Sequence, residues 1–367
     1  VTERPNSNPG ANANSGELPR LATTGIGSLP HTQLELALQQ AFRLDIPFLP
    51  QLPGANPAEL MLPQALEGMP GLHYDEQGEC TIEVAEWQKG ARSMGARLER
   101  ALAGQELSYF EPTALSCRAW KPFLWDVEEK QRPWAKAQIT GPMTLRFVLR
   151  LGDGRSISAQ PELEDQVLRL TLARALAMAR ALRETGTRPI VFLDEPGLYA
   201  FDRKNPQHLV ALQGLRIVIM ALRKEGAKVG VHCCSNTDWA SLLGLGFDLV
   251  SLDARLSLGS LLAQAQAFRQ FWQNGGRLVL GVIPTNLEAE YQVAELMADT
   301  ERTLAQHLED GALLAQVRSE SLLSPACGLA LRSVSDAERV FAELNEVQRR
   351  LRGAVPGTKK EVGLGQM

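Results

Sequence analysis

No stretch of this 367-residue sequence is apolar for long enough to cross a bilayer. Its longest hydrophobic runs are strand-length and are broken by glycine or charge. The first residues, Val-Thr-Glu-Arg-Pro-Asn-Ser-Asn-Pro, hold no apolar core of a secretory signal, so the expected compartment is the cytoplasm. Blocks of like charge are also missing. The formal net charge is −4, with 38 basic and 42 acidic residues spread along the chain. That excludes the basic footprint of a nucleic-acid binder and the basic amphipathic helix of a membrane-surface protein. Cysteine is scarce and odd in number, at five, which argues against a disulfide framework. The tryptophans are scattered and form no stacking platform.

What is present is an alternation. Hydrophobic residues make up 44% of the chain, enough for a sizeable core. The polar segments 1–18 and 355–367 are expected to be disordered tails. Between them, short apolar runs alternate with long helical patterns, the signature of a parallel sheet wrapped by helices. The runs fall at 23–27, 46–50, 135–140, 189–194, 228–234, 249–253 and 277–282, with an eighth near Leu322-Leu323-Ser324. Helical patterns cover about 32–43, 161–185, 207–224, 258–273, 290–309 and 335–351. Eight such units predict an α/β fold, a single (β/α)8 TIM barrel over 19–354. The segment 53–132 is too long for one crossover and reads as an insertion after the second strand, with a hairpin near 78–84 and a helix from Glu86 to about Leu102.

In such a barrel the active site lies at the C-terminal ends of the strands, and here those ends collect polar and thiol groups. One run ends in His232-Cys233-Cys234. Side chains two apart on a strand share a face, so His232 and Cys234 project together and Cys233 points away. An imidazole and a thiol side by side are half of a zinc site. Cys327, in Ser-Pro-Ala-Cys-Gly-Leu after the eighth run, is the candidate third ligand. Three protein ligands leave a position open, which marks a catalytic zinc. Two thiolates make the metal a modest Lewis acid, suited to ionising a substrate thiol for attack on an electrophilic carbon, most simply a methyl group.

Other strand-end groups have two readings each. Asp194 is aimed inward by alternation, yet both Asp194 and Glu195 are also placed to cap a following helix. Asp253 reads equally as a distant fourth zinc ligand, a partner of His232, or a loop carboxylate. Gly27-Ser28 is either a plain turn or a pair of amides able to bind a carboxylate. Cys80 and Cys117 read as packing thiols, and His31, His73, His208 and His307 as surface or loop residues.

The motifs Thr-Thr-Gly-Ile-Gly-Ser-Leu-Pro (23–30), Ile-Thr-Gly-Pro (139–142), Leu-Asp-Glu-Pro (193–196), His-Cys-Cys (232–234) and Ser-Pro-Ala-Cys-Gly-Leu (324–329) stand in the order seen in cobalamin-independent methionine synthase. Over about 21–350 the chain resembles the C-terminal catalytic barrel of that family. The wider superfamily includes uroporphyrinogen decarboxylase and the corrinoid-linked zinc methyltransferases. The resemblance implies zinc ligation by His232, Cys234 and Cys327, with Asp253 where the family places a glutamate ligand. It implies that Asp194 holds the amino group of homocysteine, and that Ile26 and Ser28 contact its amino-acid portion; Glu195, from its strand-end position, is a further substrate-binding candidate. Two departures bear on the methyl donor. The chain has no room for the family's additional N-terminal barrel. The stretch Gly281-Val282-Ile283-Pro284-Thr285-Asn286 also lacks the histidine that protonates the folate. A methylated corrinoid, often protein-bound, leaves without such an acid and becomes the expected donor. The alternatives are a corrinoid-dependent methyltransferase acting on another thiol such as coenzyme M, a metal-free decarboxylase, and a non-catalytic zinc or corrinoid binding module.

Overall fold

The computed structural model describes residues 17–286 and 291–354. The expected tails therefore lie outside the described residues except for Glu17 and Leu18. From the N-terminus come α1 (Leu34–Phe42), α2 (Met61–Leu66), β1 (Leu72–Tyr74), β2 (Cys80–Ile82), α3 (Val84–Leu102) and α4 (Trp120–Glu129). Next are β3 (Trp134–Thr140), α5 (Pro142–Val148), β4 (Arg150–Leu151), α6 (Pro161–Glu184) and β5 (Arg188–Asp194). They are followed by α7 (Pro206–Lys224), β6 (Lys228–His232), α8 (Trp239–Leu243) and β7 (Leu249–Asp253). The last are α9 (Leu258–Leu262), α10 (Ala265–Gln273), β8 (Arg277–Ile283), α11 (Val293–His307), α12 (Gly311–Glu320), β9 (Leu322–Pro325) and α13 (Val334–Ala354).

The architecture is mixed α/β. Six strands form one parallel sheet in the order β3-β5-β6-β7-β8-β9, so the expected barrel is met as far as this six-stranded sheet. The first two apolar runs form no full ladder. Isolated parallel bridges join Thr23 to Leu323, Ser28 to Gln51 and Phe48 to Lys136. Hydrogen bonds carry the sheet from β9 to 22–28 (Thr24 N to Leu323 O, 3.0 Å), on to 46–51 (Ile46 N to Thr23 O, 3.0 Å; Gln51 N to Gly27 O, 3.1 Å) and back to β3 (Leu49 N to Lys136 O, 2.8 Å). Pro47 and Pro50 remove donors from the second run, and a proline-interrupted strand sustains only such sparse pairing.

Alternation along the strands divides the core in two. Outward residues such as Ile139, Leu193, Val231, Val250 and Leu280 pack against the helices in one large cluster. Inward residues form a second, smaller cluster of Ala22, Ile46, Trp134, Ile190, Phe192, Leu249, Val279 and Leu322. Gly230 makes room for this inner layer, since a Cβ there would lie 2.5 Å from the Phe192 ring. Above the apolar layer, toward the C-terminal strand ends, the inward positions turn polar. The register pairs Thr140 with Asp194, Asp194 with His232 and His232 with Ser251, a row of four polar side chains at one level of the sheet.

The helical expectations need two corrections. The 258–273 pattern is two helices, broken at 263–264, and α2, α4, α5, α8 and α12, none longer than ten residues, were not anticipated. Only Val317 of α12 is fully buried, with Leu313 and Leu314 half-buried beside it, a stripe of a single turn and too short to read from sequence. The insertion contains the expected hairpin, with β1 and β2 pairing Leu72 with Ile82 and Tyr74 with Cys80, and β4 adds a parallel third strand. No helix among the described residues is long and apolar enough to cross a membrane.

Candidate metal centre and its cavity

His232 is the last residue of β6, Cys234 lies just beyond it, and Cys327 lies just beyond β9. One donor atom from each comes within 4.8 Å of the other two. Among the described residues this is the one group of His, Cys and carboxylate side chains close enough to share a metal ion. The strand ends are fixed by backbone bonds, with Glu195 N donating to His232 O (2.9 Å) and Cys233 N to Ser251 O (3.1 Å). Cys233 points away as alternation requires. It is fully buried, its thiol donates to Ser235 O at 3.2 Å, and burial pushes that thiol up to about 11.

The imidazole of His232 is held from behind, its Nδ1 lying 3.0 Å from Ser251 Oγ. Its Nε2 is buried and makes no well-formed hydrogen bond. A buried ring nitrogen without a partner is costly unless something else occupies it. The two thiols share a proton. The Cys327 thiol first, and the neighbouring His232 ring second, pull Cys234 well below the ordinary thiol value, while Cys234 and burial push Cys327 far up. A cation bound there would stabilise both thiols in the ionised form.

The cluster opens on a cavity of about 330 Å³ at the C-terminal ends of the strands. Ile26, Ser28 and Asp194 line it together with His232, Cys234 and Cys327. Asp194 is buried and its Oδ1 has no hydrogen-bond partner. Burial pushes its carboxyl up to about 6, against the pull of Lys136 and His232. The loop carrying Cys327 is clamped to the first segment, where Leu329 N donates to Ser28 O at 2.9 Å. Gly328 is needed at that contact, because a Cβ would lie 2.2 Å from Ser28 Oγ.

Two expected site residues are placed elsewhere. Glu195 does not reach the cavity. Its fully buried carboxylate accepts from Met143 N (3.0 Å), Thr144 N (2.6 Å) and Thr144 Oγ1 (2.6 Å), capping the start of α5. Asp253 stands outside the metal cluster. Its Oδ1 accepts from Arg255 N (2.8 Å) and Leu256 N (3.1 Å), as its reading as a loop carboxylate expects. His31 is buried rather than on the surface, with Nδ1 unpartnered.

The sequence reading missed a buried polar chain beneath the cavity. Lys136 donates to Ile26 O and to Gln138 Oε1 (3.0 Å). Gln138 Nε2 donates to Leu49 O (2.9 Å) and Gln51 Oε1 (3.2 Å). Gln51 Nε2 donates to Gln64 Oε1 (2.6 Å), and Gln64 Nε2 to Ser116 O (2.8 Å). The chain thus runs from the interior of the sheet into the inserted segment. Its signal was visible in Ala-Lys-Ala-Gln-Ile-Thr, where 136, 138 and 140 are polar at period two. Burial lowers the Lys136 ammonium to about 8, against the attraction of Asp194.

No protein-family model matches the sequence. No curated protein matches it either. A D-psicose 3-epimerase from Clostridium cellulolyticum H10, solved with D-tagatose, aligns at 10% identity and TM-score 0.35, over 64% of this chain and 92% of the epimerase. An N-acetylneuraminic acid synthetase from Leptospira borgpetersenii serovar Hardjo-bovis aligns at 11% identity and TM-score 0.32, over 73% of this chain and 84% of its own. A xylose isomerase-like TIM barrel protein from Mycobacterium smegmatis, in complex with magnesium, aligns at 12% and 0.33, over 70% and 90%. Likeness this slight carries no inference about the chemistry of this chain.

Proposed function

We propose that this chain is a (β/α)8-barrel enzyme, a zinc-dependent methyltransferase that activates a thiol, with homocysteine as acceptor and methionine as product. The observation that carries the reading is the His232–Cys234–Cys327 cluster, open to a cavity that also presents the unpartnered Asp194 carboxylate. The bonds through 22–28 and 46–51 support a closed ring of eight strands. The ordered motifs support membership of the cobalamin-independent methionine synthase superfamily.

The residues fit zinc. Tetrahedral ligation with Zn–S of about 2.3 Å and Zn–N of about 2.0 Å sets donors roughly 3.5–4 Å apart. The three donors, within 4.8 Å of one another, are close enough to share such an ion. The orphaned Nε2 supplies the nitrogen, and Ser251 fixes the ring that presents it. Zinc, when bound there, supplies a Lewis acid that lowers the pKa of an acceptor thiol and holds it as a nucleophile.

The chain's own residues do the rest. Asp194 takes the acceptor's ammonium group, which repays the desolvation of its buried carboxylate. Ile26 and Ser28 bracket the other end of the amino acid. The thiol proton leaves to water at the cavity mouth. The sulfur lone pair then forms the new S–C bond as the donor's bond to the methyl carbon breaks, and the donor keeps that electron pair. A methylated corrinoid is the proposed donor, because it needs no acid to leave. Among the described residues, His232 is the sole histidine lining the cavity, and the β8 end offers Thr285 and Asn286 instead. X-ray absorption of the zinc-loaded protein, with and without homocysteine, tests the reading. Gain of one sulfur neighbour at the metal is expected, and an unchanged shell overturns it.

A further inference from the structure

Arg332 lines the same cavity, on the loop that carries Cys327. Its side chain is half-buried and has no hydrogen-bond or ion-pair partner among the described residues, although its backbone N–H donates to Leu329 O at 3.0 Å. Most arginines of the chain near an acid are spent on one: Arg118 on Glu59, Arg174 on Glu67 and Arg180 on Glu225. Arg332 is not, and Asp194, which lines the same cavity, has a buried Oδ1 with no hydrogen-bond partner and makes no ion pair with it. Two opposite charges face one small cavity without neutralising each other. The occupant that completes both is a zwitterion.

We infer that Arg332 is a specificity-determining residue of the acceptor site, and that it takes the carboxylate of a thiol amino acid whose ammonium group lies on Asp194. The inference rests on the thiol-transfer reading and sharpens it. A guanidinium offers paired N–H donors in a plane that matches a carboxylate. Its place on the Cys327 loop ties charge recognition to the sulfur ligand, because that loop is fastened to Ser28 through Leu329. A cavity of about 330 Å³ stands at the small end of ligand sites and suits an acceptor of amino-acid size. An uncharged alkanethiol leaves both charges unanswered. A thiol with only an anionic tail leaves Asp194 so.

The test measures binding by calorimetry on zinc-loaded protein, using three thiols. Homocysteine carries both charges, 4-mercaptobutanoate lacks the ammonium, and 3-aminopropane-1-thiol lacks the carboxylate. Arg332→Ala is expected to weaken homocysteine and 4-mercaptobutanoate by roughly ten- to a hundredfold and to leave 3-aminopropane-1-thiol unchanged. Arg332→Lys should recover part of the loss, since it restores charge without the planar fork. Asp194→Asn should show the converse preference. Equal weakening of all three thiols in Arg332→Ala, or none, overturns the inference while leaving thiol ligation standing. If X-ray absorption shows no added sulfur in the wild type with any thiol, the thiol-transfer reading falls and takes this one with it. Circular dichroism and bound zinc in each variant identify any loss caused by misfolding, and rescue by Arg332→Lys then decides the assignment.

Discussion

At the scale of single residues, the metal cluster separates groups that would hold an ion from groups that only lie close by. Cys234→Ser, Cys327→Ser and His232→Ala each remove one of three donors and should abolish tight zinc binding, read as metal retained after competition with a chelator. Ser251→Ala should cost roughly ten- to a hundredfold in zinc affinity, because the ring loses its orienting partner. Asp253→Asn should leave zinc affinity near that of the wild type, since Oδ1 serves backbone amides of its own loop. Loss of zinc in Asp253→Asn would restore that carboxylate as a ligand. His232 and Cys234 were legible because strand alternation is rigid: two residues apart means one face. Glu195 was not. A carboxylate after a strand looks the same in sequence whether it faces a cavity or turns back to the next helix. What decides is the distance to Met143 N and Thr144 N, which only the fold sets. Arg332 had no signal either, since a loop arginine becomes informative only when its partners can be seen to be missing.

Among the elements, the junction of β3 with α5 shows how a local conflict is settled. Pro142 opens the helix and Gly141 precedes it in extended conformation. A Cβ on Gly141 would lie 2.1 Å from Glu195 Oε1, a side chain with no freedom to move because it is fully buried and bonded to three donors. Gly141→Ala should therefore destabilise the protein by about 1–3 kcal/mol through overpacking, measured by denaturant unfolding. A midpoint equal to the wild type would show that Glu195 can leave its cap freely. The long helices were readable because each has a buried stripe to announce it, as α6 does from Leu163 to Leu182. α12 offers only one turn of such a stripe, with Leu313 and Leu314 half-buried and Val317 alone fully buried. The first two strand segments were readable as apolar runs. Their reduction to single bridges follows from proline and glycine positions that shape pairing without changing hydrophobicity.

Across the whole molecule, the apolar inner layer and the polar layer above it share one enclosure, and Lys136 stands at their boundary. It is buried, with its ammonium against Ile26 O and Gln138 Oε1 and 4.8 Å from the Phe192 ring centroid. Burial lowers it from 10.5 to about 8. Between those values the unfolded chain still holds the proton and the folded chain has released it, so stability rises with pH across that window. Below about pH 8 the full cost of enclosing the charge is present. The rise amounts to roughly 3 kcal/mol at most, and Lys136→Met should flatten it. Unfolding midpoints measured from pH 7.5 to about 10 check this, and an unchanged slope in the variant would assign the rise to other groups. The same lysine has a further effect at a distance. An ammonium can only donate and a peptide carbonyl can only accept, so the three glutamines between Lys136 and Ser116 O have no choice of orientation. Each must turn its oxygen toward the lysine and its nitrogen toward the insertion. The amides form a sequence with one permitted polarity, fixed at both ends. An acceptor placed at position 136 would ask the first glutamine to reverse while Ser116 O forbids the last from following, and the mismatch would have to fall on one buried link between them.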